Sequence, residues 1–197
     1  MPFFYLNVLG DMNDGSLCVI TQFVKGIEMD AYRVGLGKRA TDIWPDDARI
    51  YMSKDQKGVK LSSLLGTTRN MLIARVDLRR LIEEHCKGVD IEYLPFSLYD
   101  HRKRLYSKDY SIINPIGTFD CLDPRKTNAV WDKEKPGRIS LLRMPVLDRA
   151  KVAKAPELFR IPEAPTDLIF GPKLVEAISS AKLTNLRGAK LKFGDEV

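Results

Sequence analysis

The chain has 197 residues, 44% of them hydrophobic and 29% charged, with a formal net charge of +6. That is enough apolar material for one large domain or two small ones, and the two Trp, seven Tyr and eight Phe argue against a disordered chain. No apolar run reaches 18 residues, which excludes a membrane-spanning helix.

The N-terminus has no basic flank and meets Asp11 and Asp14 before a signal-peptide core is complete, so the expected location is cytoplasmic. From Phe3 to Leu9 and from Ser16 to Phe23 the pattern is β-like, and the turn formers of Asp11 to Gly15 predict a hairpin or paired strands. From Gly26 to Lys60, Gly35, Gly37, Trp44-Pro45 and Lys57-Gly58 interrupt every periodic stretch. Loops with short strands are expected there, one of them near Ala48 to Met52.

Beyond Leu61 the pattern is better organised. Met71 to Ala74 is apolar, Asp77 is placed to cap or charge a helix start, and Leu78, Leu81 and Ile82 share a helical face. A helix is predicted from about Val76 to Cys86, stopped near Gly88. Val89 to Leu94 alternates apolar and acidic residues as a half-buried strand does, and Pro95 ends it or marks a sheet edge. Strands are expected at Tyr110 to Ile116, Ile139 to Leu147 and Glu157 to Ile161. Asp120 to Gly137 reads as an exposed excursion with Ala129 to Trp131 dipping inward, and Pro162 and Pro165 mark a tight connection.

A second unit repeats the first at an offset of 96 residues in this sequence: Leu168-Ile169 answers Leu72-Ile73, Leu174 answers Leu78, and Ile178 answers Ile82. Pro172 suits a first helical turn, the helix runs to about Ala181, and Arg187-Gly188 leads into a strand from Ala189 to Phe193. Two strand-helix-strand units predict an α+β fold with a mixed or antiparallel sheet and an N-terminal strand-rich elaboration. A single domain over 1–197 is preferred, although the weak signal before residue 60 leaves room for an N-terminal subdomain over 1–60.

Charge divides unevenly: residues 1–60 carry eight Lys/Arg against eight Asp/Glu, whereas residues 61–197 carry 24 against 18. A basic half can attract nucleic acid or an acidic protein face, or be no more than a solvated surface. Arg102-Lys103-Arg104 near Tyr99, Tyr106 and Tyr110 is the one basic and aromatic cluster, and no nucleic-acid-binding motif accompanies it. Nucleic acid is therefore an unfavoured partner. Gly35-Leu36-Gly37-Lys38-Arg39 imitates a phosphate loop but fails on spacing, because Tyr32 stands where the first glycine belongs and Arg39 follows the lysine.

Cys18, Cys86 and Cys121 are an odd number at wide spacings, which fits reduced thiols. With no C-x-x-C pair and only His85 and His101, neither a metal site nor a cofactor is expected. Cys121 with Asp120, Asp123 and His101 is the only nucleophile-and-base combination, and the neighbouring acids disfavour its thiolate. His85 suits the C-terminal dipole of its helix, and Glu83 and Glu84 point in different directions.

An ordered series of features carries a resemblance. It runs from the strand and helix of Met71 to Cys86 through Tyr93-Leu94-Pro95-Phe96 to the Tyr-rich strand entering Asp120-Cys121-Leu122-Asp123. Leu158-Phe159-Arg160 and a final helix with Leu183-Thr184 complete it. Over 61–193 the series resembles a bacterial polymorphic-toxin immunity protein family of the myxobacterial type, formerly a domain of unknown function. The resemblance implies a cytoplasmic protein that binds and neutralises a cognate toxin, in some cases a nuclease, by stoichiometric protein–protein contact and without catalysis. Either an acidic patch such as Asp42, Asp46 and Asp47 docks, or the toxin presents acidic surface. Loop-borne Tyr99, Asp100, Arg102 and Arg104 are the candidate interface residues. A small cysteine/histidine hydrolase and a basic nucleic-acid-binding module are the alternatives.

Overall fold

A computed structural model describes residues 2–197, which form an α+β fold with mixed sheets. In chain order the elements are β1 (Phe4–Asn7), β2 (Val19–Ile20), the short helix α1 (Tyr32–Gly35), β3 (Arg49–Tyr51), β4 (Leu64–Thr67), β5 (Leu72–Arg75), α2 (Val76–His85), β6 (Ile91–Tyr99) and β7 (Leu105–Pro115). They continue with β8 (Asn128–Trp131), β9 (Ile139–Met144), β10 (Val146–Leu147), β11 (Leu158–Arg160), β12 (Leu168–Phe170), α3 (Pro172–Ser180), β13 (Arg187–Lys190) and β14 (Lys192–Phe193).

Six strands form one sheet in the order β2-β4-β5-β7-β6-β3, and four form a second in the order β11-β12-β1-β13. The 96-residue echo is visible in both. β5 and β6 run parallel on either side of antiparallel β7, and β12 and β13 run parallel on either side of antiparallel β1. Each unit is thus a strand, a helix and a parallel strand with one strand inserted between. Side-chain alternation across a strand then sorts the repeated residues. Leu72 and Leu168 join Leu78, Ile82, Leu174 and Ile178 in a core shared by both units, while Ile73 and Ile169 face two separate outer cores.

Helix α3 starts as its Pro172 predicts, and its first amides find an unexpected partner. The Glu157 carboxylate accepts hydrogen bonds from the Lys173 and Leu174 amides at 2.9 and 3.1 Å, so a residue just before β11 caps a helix sixteen positions later. In α2, Asp77 lies inside the first turn rather than at the cap, where it pairs with Arg75 and accepts from the Ser63 hydroxyl.

Two expectations are corrected, and a third is narrowed to one of its alternatives. β1 and β2 do not pair: β1 lies between β12 and β13, and β2 runs parallel to β4. Turn formers between them fix only the local chain path, whereas the pairing is decided by which apolar faces must be covered. Of the two readings of Pro95, the sheet edge holds and the strand end does not: up to Phe96 β6 pairs only with β7, the Trp44 indole donates to the Pro95 carbonyl at 2.9 Å, and the strand continues to Tyr99 with β3 joining from Ser97 onward. Ala129 to Trp131 does not dip inward. Val130 and Trp131 stay 45% and 40% exposed on a two-stranded ribbon that joins no other strand.

Residues 18–52 do not make a core of their own. Cys18, Ile20, Val24, Val34, Ile50 and Met52 pack with Leu65, Ile73, Leu94, Phe96 and Ile112 on the outer face of the six-stranded sheet. A buried polar network fixes this elaboration to both repeat units. Arg160 of β11, wholly buried, donates to four backbone carbonyls: Val34 at 2.9 Å, Gly35 at 3.0 Å, Pro115 at 3.1 Å and Pro165 at 2.8 Å. Gly37 completes the cradle. Its φ is +66°, and a Cβ there would stand 2.7 Å from Arg160 Cδ, so the glycine that imitated a phosphate loop admits an arginine instead.

Asn114 continues the network, its amide donating to the Lys38 carbonyl at 2.8 Å and to Glu92 at 2.9 Å. Glu92 also accepts from the Ala40 and Thr41 amides and the Thr41 hydroxyl. Burial pushes its carboxyl upward, but bonds from Thr41, Asn114 and the two amides outweigh it and hold Glu92 below the usual carboxylate range. A folded-state value below the unfolded one stabilises the fold above the unfolded value of about 4.3. That stabilisation is lost as the pH falls through the folded value. Glu92→Gln is therefore expected to destabilise at neutral pH, with the gap to wild type closing as the pH falls below about 4. Urea titrations across that range measure it.

Candidate functional site: a hairpin tip and an exposed ribbon

The tip of the β6–β7 hairpin carries the four residues singled out from the sequence. Asp100 turns out to be the residue that builds the turn. It is buried, accepts from the Arg102 and Arg104 amides at 2.8 and 2.9 Å, and holds the Arg104 guanidinium by two further bonds of 2.9 and 2.8 Å. Hydrogen bonds from Arg104, first among them its backbone amide, keep the Asp100 carboxyl below the usual range. Tyr99 is half-buried, its ring 5.2 Å from that of Tyr51 and within cation–π reach of Arg49 at 5.7 Å. Arg102 is exposed and enters no ion pair among the described residues. Of the four, Asp100 and Arg104 are engaged with each other, and Arg102 and one face of Tyr99 point to what a partner could meet.

The aromatic cluster around the basic run disperses. Tyr110 is buried with its hydroxyl donating to the Ser62 carbonyl at 2.7 Å, and the Tyr106 hydroxyl donates to the Val59 carbonyl at 3.2 Å. Cys121 and His101 do not meet either. Cys121 is wholly buried in the core beneath the four-stranded sheet, whereas His101 lines a cavity beside the β6–β7 tip. Burial, followed by Glu163 and Asp120, pushes the Cys121 thiol up to about 12. Burial likewise pushes Cys18 and Cys86 up to about 12. All three thiols are expected to resist a thiol-reactive dye at pH 8 in the native protein and to react together in denaturant. Rapid native labelling of one cysteine would contradict that burial.

The acids flanking Cys121 have structural duties. Asp120 pairs with Lys151 at 2.9 Å, and Asp123 accepts the Arg125 and Lys126 amides in a tight turn. The proposed acidic patch is also occupied in part, Asp42 by Arg33 at 3.0 Å and Asp47 by Arg49 at 2.6 Å.

The β8–β9 ribbon is the surface that sequence reasoning missed. Asn128, Ala129, Val130 and Trp131 pair with Met144, Leu142, Leu141 and Ile139, and two bulges leave Arg143 and Ser140 unpaired. Those bulges keep the apolar residues in phase on each face. Ile139 and Leu142 pack on the core below, which turns Val130, Leu141 and Met144 outward, 45%, 50% and 57% exposed. Residues 125–144 carry six basic residues, Arg125, Lys126, Lys133, Lys135, Arg138 and Arg143, against Asp132 and Glu134, so a net +4 of the chain's +6 sits here. None of the six pairs with an Asp or Glu among the described residues. The available signal was two short apolar runs, Ala129 to Trp131 and Ile139 to Met144, set among six cations, which suits a ribbon supported on one face only.

No known protein-family model matches the sequence. No curated protein matches it either. Among the described residues no group of three or more His, Cys, Asp or Glu is placed to hold a metal ion, and no helix is long and apolar enough to cross a membrane.

Proposed function

We propose that the chain is an immunity protein that neutralises a cognate bacterial toxin by stoichiometric binding, with the β8–β9 ribbon as its principal contact surface. The observation that carries the reading is the strip Val130, Leu141 and Met144, exposed on a ribbon whose other face is anchored to the core and whose margins hold cations without an Asp or Glu partner among the described residues. Contiguous exposed apolar side chains beside Trp131 and Arg143 have the composition of a protein interface. The net charge of the ribbon selects a partner with an apolar recess and an acidic rim. The resemblance of the ordered features over 61–193 to an immunity family supports a toxin as that partner, and the Arg33–Asp42 and Arg49–Asp47 pairs favour acidic surface on the toxin over an acidic patch on this chain.

The hydrolase alternative is weakened by the burial of Cys121 and its separation from His101. The test is co-expression with the product of a toxin gene adjacent to its own. Co-purification, lost on Leu141→Asp and retained on Cys121→Ala and His101→Ala, is the expected result. Protection that depends on Cys121 or His101 while the fold stays intact would overturn it.

A further inference from the structure

A separate cavity of about 480 Å³ opens beside the hairpin tip, lined by Gln22 and Lys25, by Tyr51 to Asp55 after β3, and by Asp100, His101 and Lys103. Three chain segments far apart in sequence thus contribute to it. Its volume falls within the range of small-ligand pockets. Three lysines, Lys25, Lys54 and Lys103, line it without an ion pair among the described residues.

Of the two acids in the lining, Asp100 is committed to the Arg102 and Arg104 amides and the Arg104 guanidinium, which leaves Asp55 alone against the lysines. Both ring nitrogens of His101 are shielded from solvent without a hydrogen-bond partner, an arrangement that buried polar groups normally avoid. The Ser53 hydroxyl accepts the Asp55 amide at 3.2 Å and keeps its own proton free to donate. Lys103 is held at a φ of +60°, a conformation rare outside glycine, by the turn that Asp100 builds.

We infer that this cavity is a binding site for a small phosphorylated compound, with a phosphoryl group held by Lys25, Lys54 and Lys103 beside the His101 ring. A phosphoryl group accepts hydrogen bonds from several directions, which suits separate ammonium and hydroxyl donors contributed by three segments. A carboxylate is matched best by one planar guanidinium fork, and none faces this cavity. A second cavity shares Gln22, Lys25 and Tyr51 with the first and adds Phe23, Arg69 and one acid, Glu28, so the groove extends past the phosphoryl site toward an aromatic ring. Inorganic pyrophosphate and a nucleotide share the phosphoryl chemistry, and only the nucleotide would use that ring. The site stands independently of toxin binding by the ribbon.

The chain's two histidines make a local reporter possible. Titrating the full-length protein with pyrophosphate or with ADP is expected to move the His101 ring resonances and leave those of His85 in place. Calorimetry on the Lys54→Gln/Lys103→Gln variant should show affinity at least about tenfold weaker, since each lost charge-assisted contact is worth more than a factor of a few. Lys173→Gln, on α3 and outside the cavity lining, should bind as wild type. Tighter binding of ADP than of pyrophosphate would assign the groove to a nucleotide, and the reverse to a polyphosphate group alone. Absence of any His101 response at millimolar ligand, equal affinity in the double variant, or equal binding of sulfate would overturn the site.

Discussion

Replacing Arg160 with methionine is expected to lower the stability of the protein by about 3–5 kcal/mol, read as a shift of the urea midpoint at constant slope. Two opposing effects decide the size. Burial draws the Arg160 guanidinium down to about 10, so removing a desolvated charge gives some stability back. At that value the group is still charged at neutral pH, and its five hydrogen bonds are all to fixed acceptors. Methionine fills similar space but leaves the Val34, Gly35, Pro115 and Pro165 carbonyls buried without a donor, each costing about 1–3 kcal/mol before relaxation. The orphaned carbonyls outweigh the relieved charge. Because two of them belong to α1, amide exchange in residues 32–41 should accelerate most. A loss below about 1 kcal/mol would show that the arginine is dispensable to the fold.

The second large effect concerns the ribbon. Leu141→Asp or Val130→Asp should weaken the proposed toxin complex by about 100-fold or more, chiefly through faster dissociation, since a charge would then be buried against the apolar recess inferred for the partner. Their effect on stability should stay within about 0.5 kcal/mol, because both side chains are exposed already. Arg143→Glu and Lys133→Glu should act differently, slowing association and reducing its dependence on salt. That separation distinguishes a shaped interface from a diffuse basic surface. Uniform weakening by every charge reversal, with no effect of the apolar substitutions, would point to nonspecific attraction instead.

Local periodicity carried much of the fold. The spacing of Leu78 and Ile82, and its echo in Leu174 and Ile178, placed both helices, and the shared core explains why the echo persists. Long-range pairing was not legible. Phe4 to Asn7 pairs with residues more than 160 positions away, and nothing local distinguishes that from a hairpin with Val19-Ile20. The acidic face expected on β6 was also misleading: Glu92 is buried because Ala40, Thr41 and Asn114 bond it, a partnership between distant segments. Arg160 sat in a recognised stretch, Leu158-Phe159-Arg160, without a visible role; all three consecutive residues are buried, and only the carbonyls of α1 and the turns explain it.

The candidate site was legible in part for a related reason. Sequence composition favours charged loops such as 99–104 as interfaces, yet Asp100 and Arg104 there hold their own turn. Asp120 to Gly137 reads as an exposed excursion in which Ala129 to Trp131 dips inward, because apolar side chains usually mean a core. Exposure of Val130, Leu141 and Met144 depends on which face Ile139 and Leu142 take, a choice made by packing.

The most direct measurement is the affinity of the purified chain for the proposed toxin, sought as the product of the gene adjacent to its own, compared between wild type and Leu141→Asp with the unfolding midpoint followed in parallel. Tight wild-type binding, lost in the variant at unchanged stability, is the predicted result. Absence of binding to that toxin, or equal binding by the variant, would contradict the ribbon as an inhibitory surface.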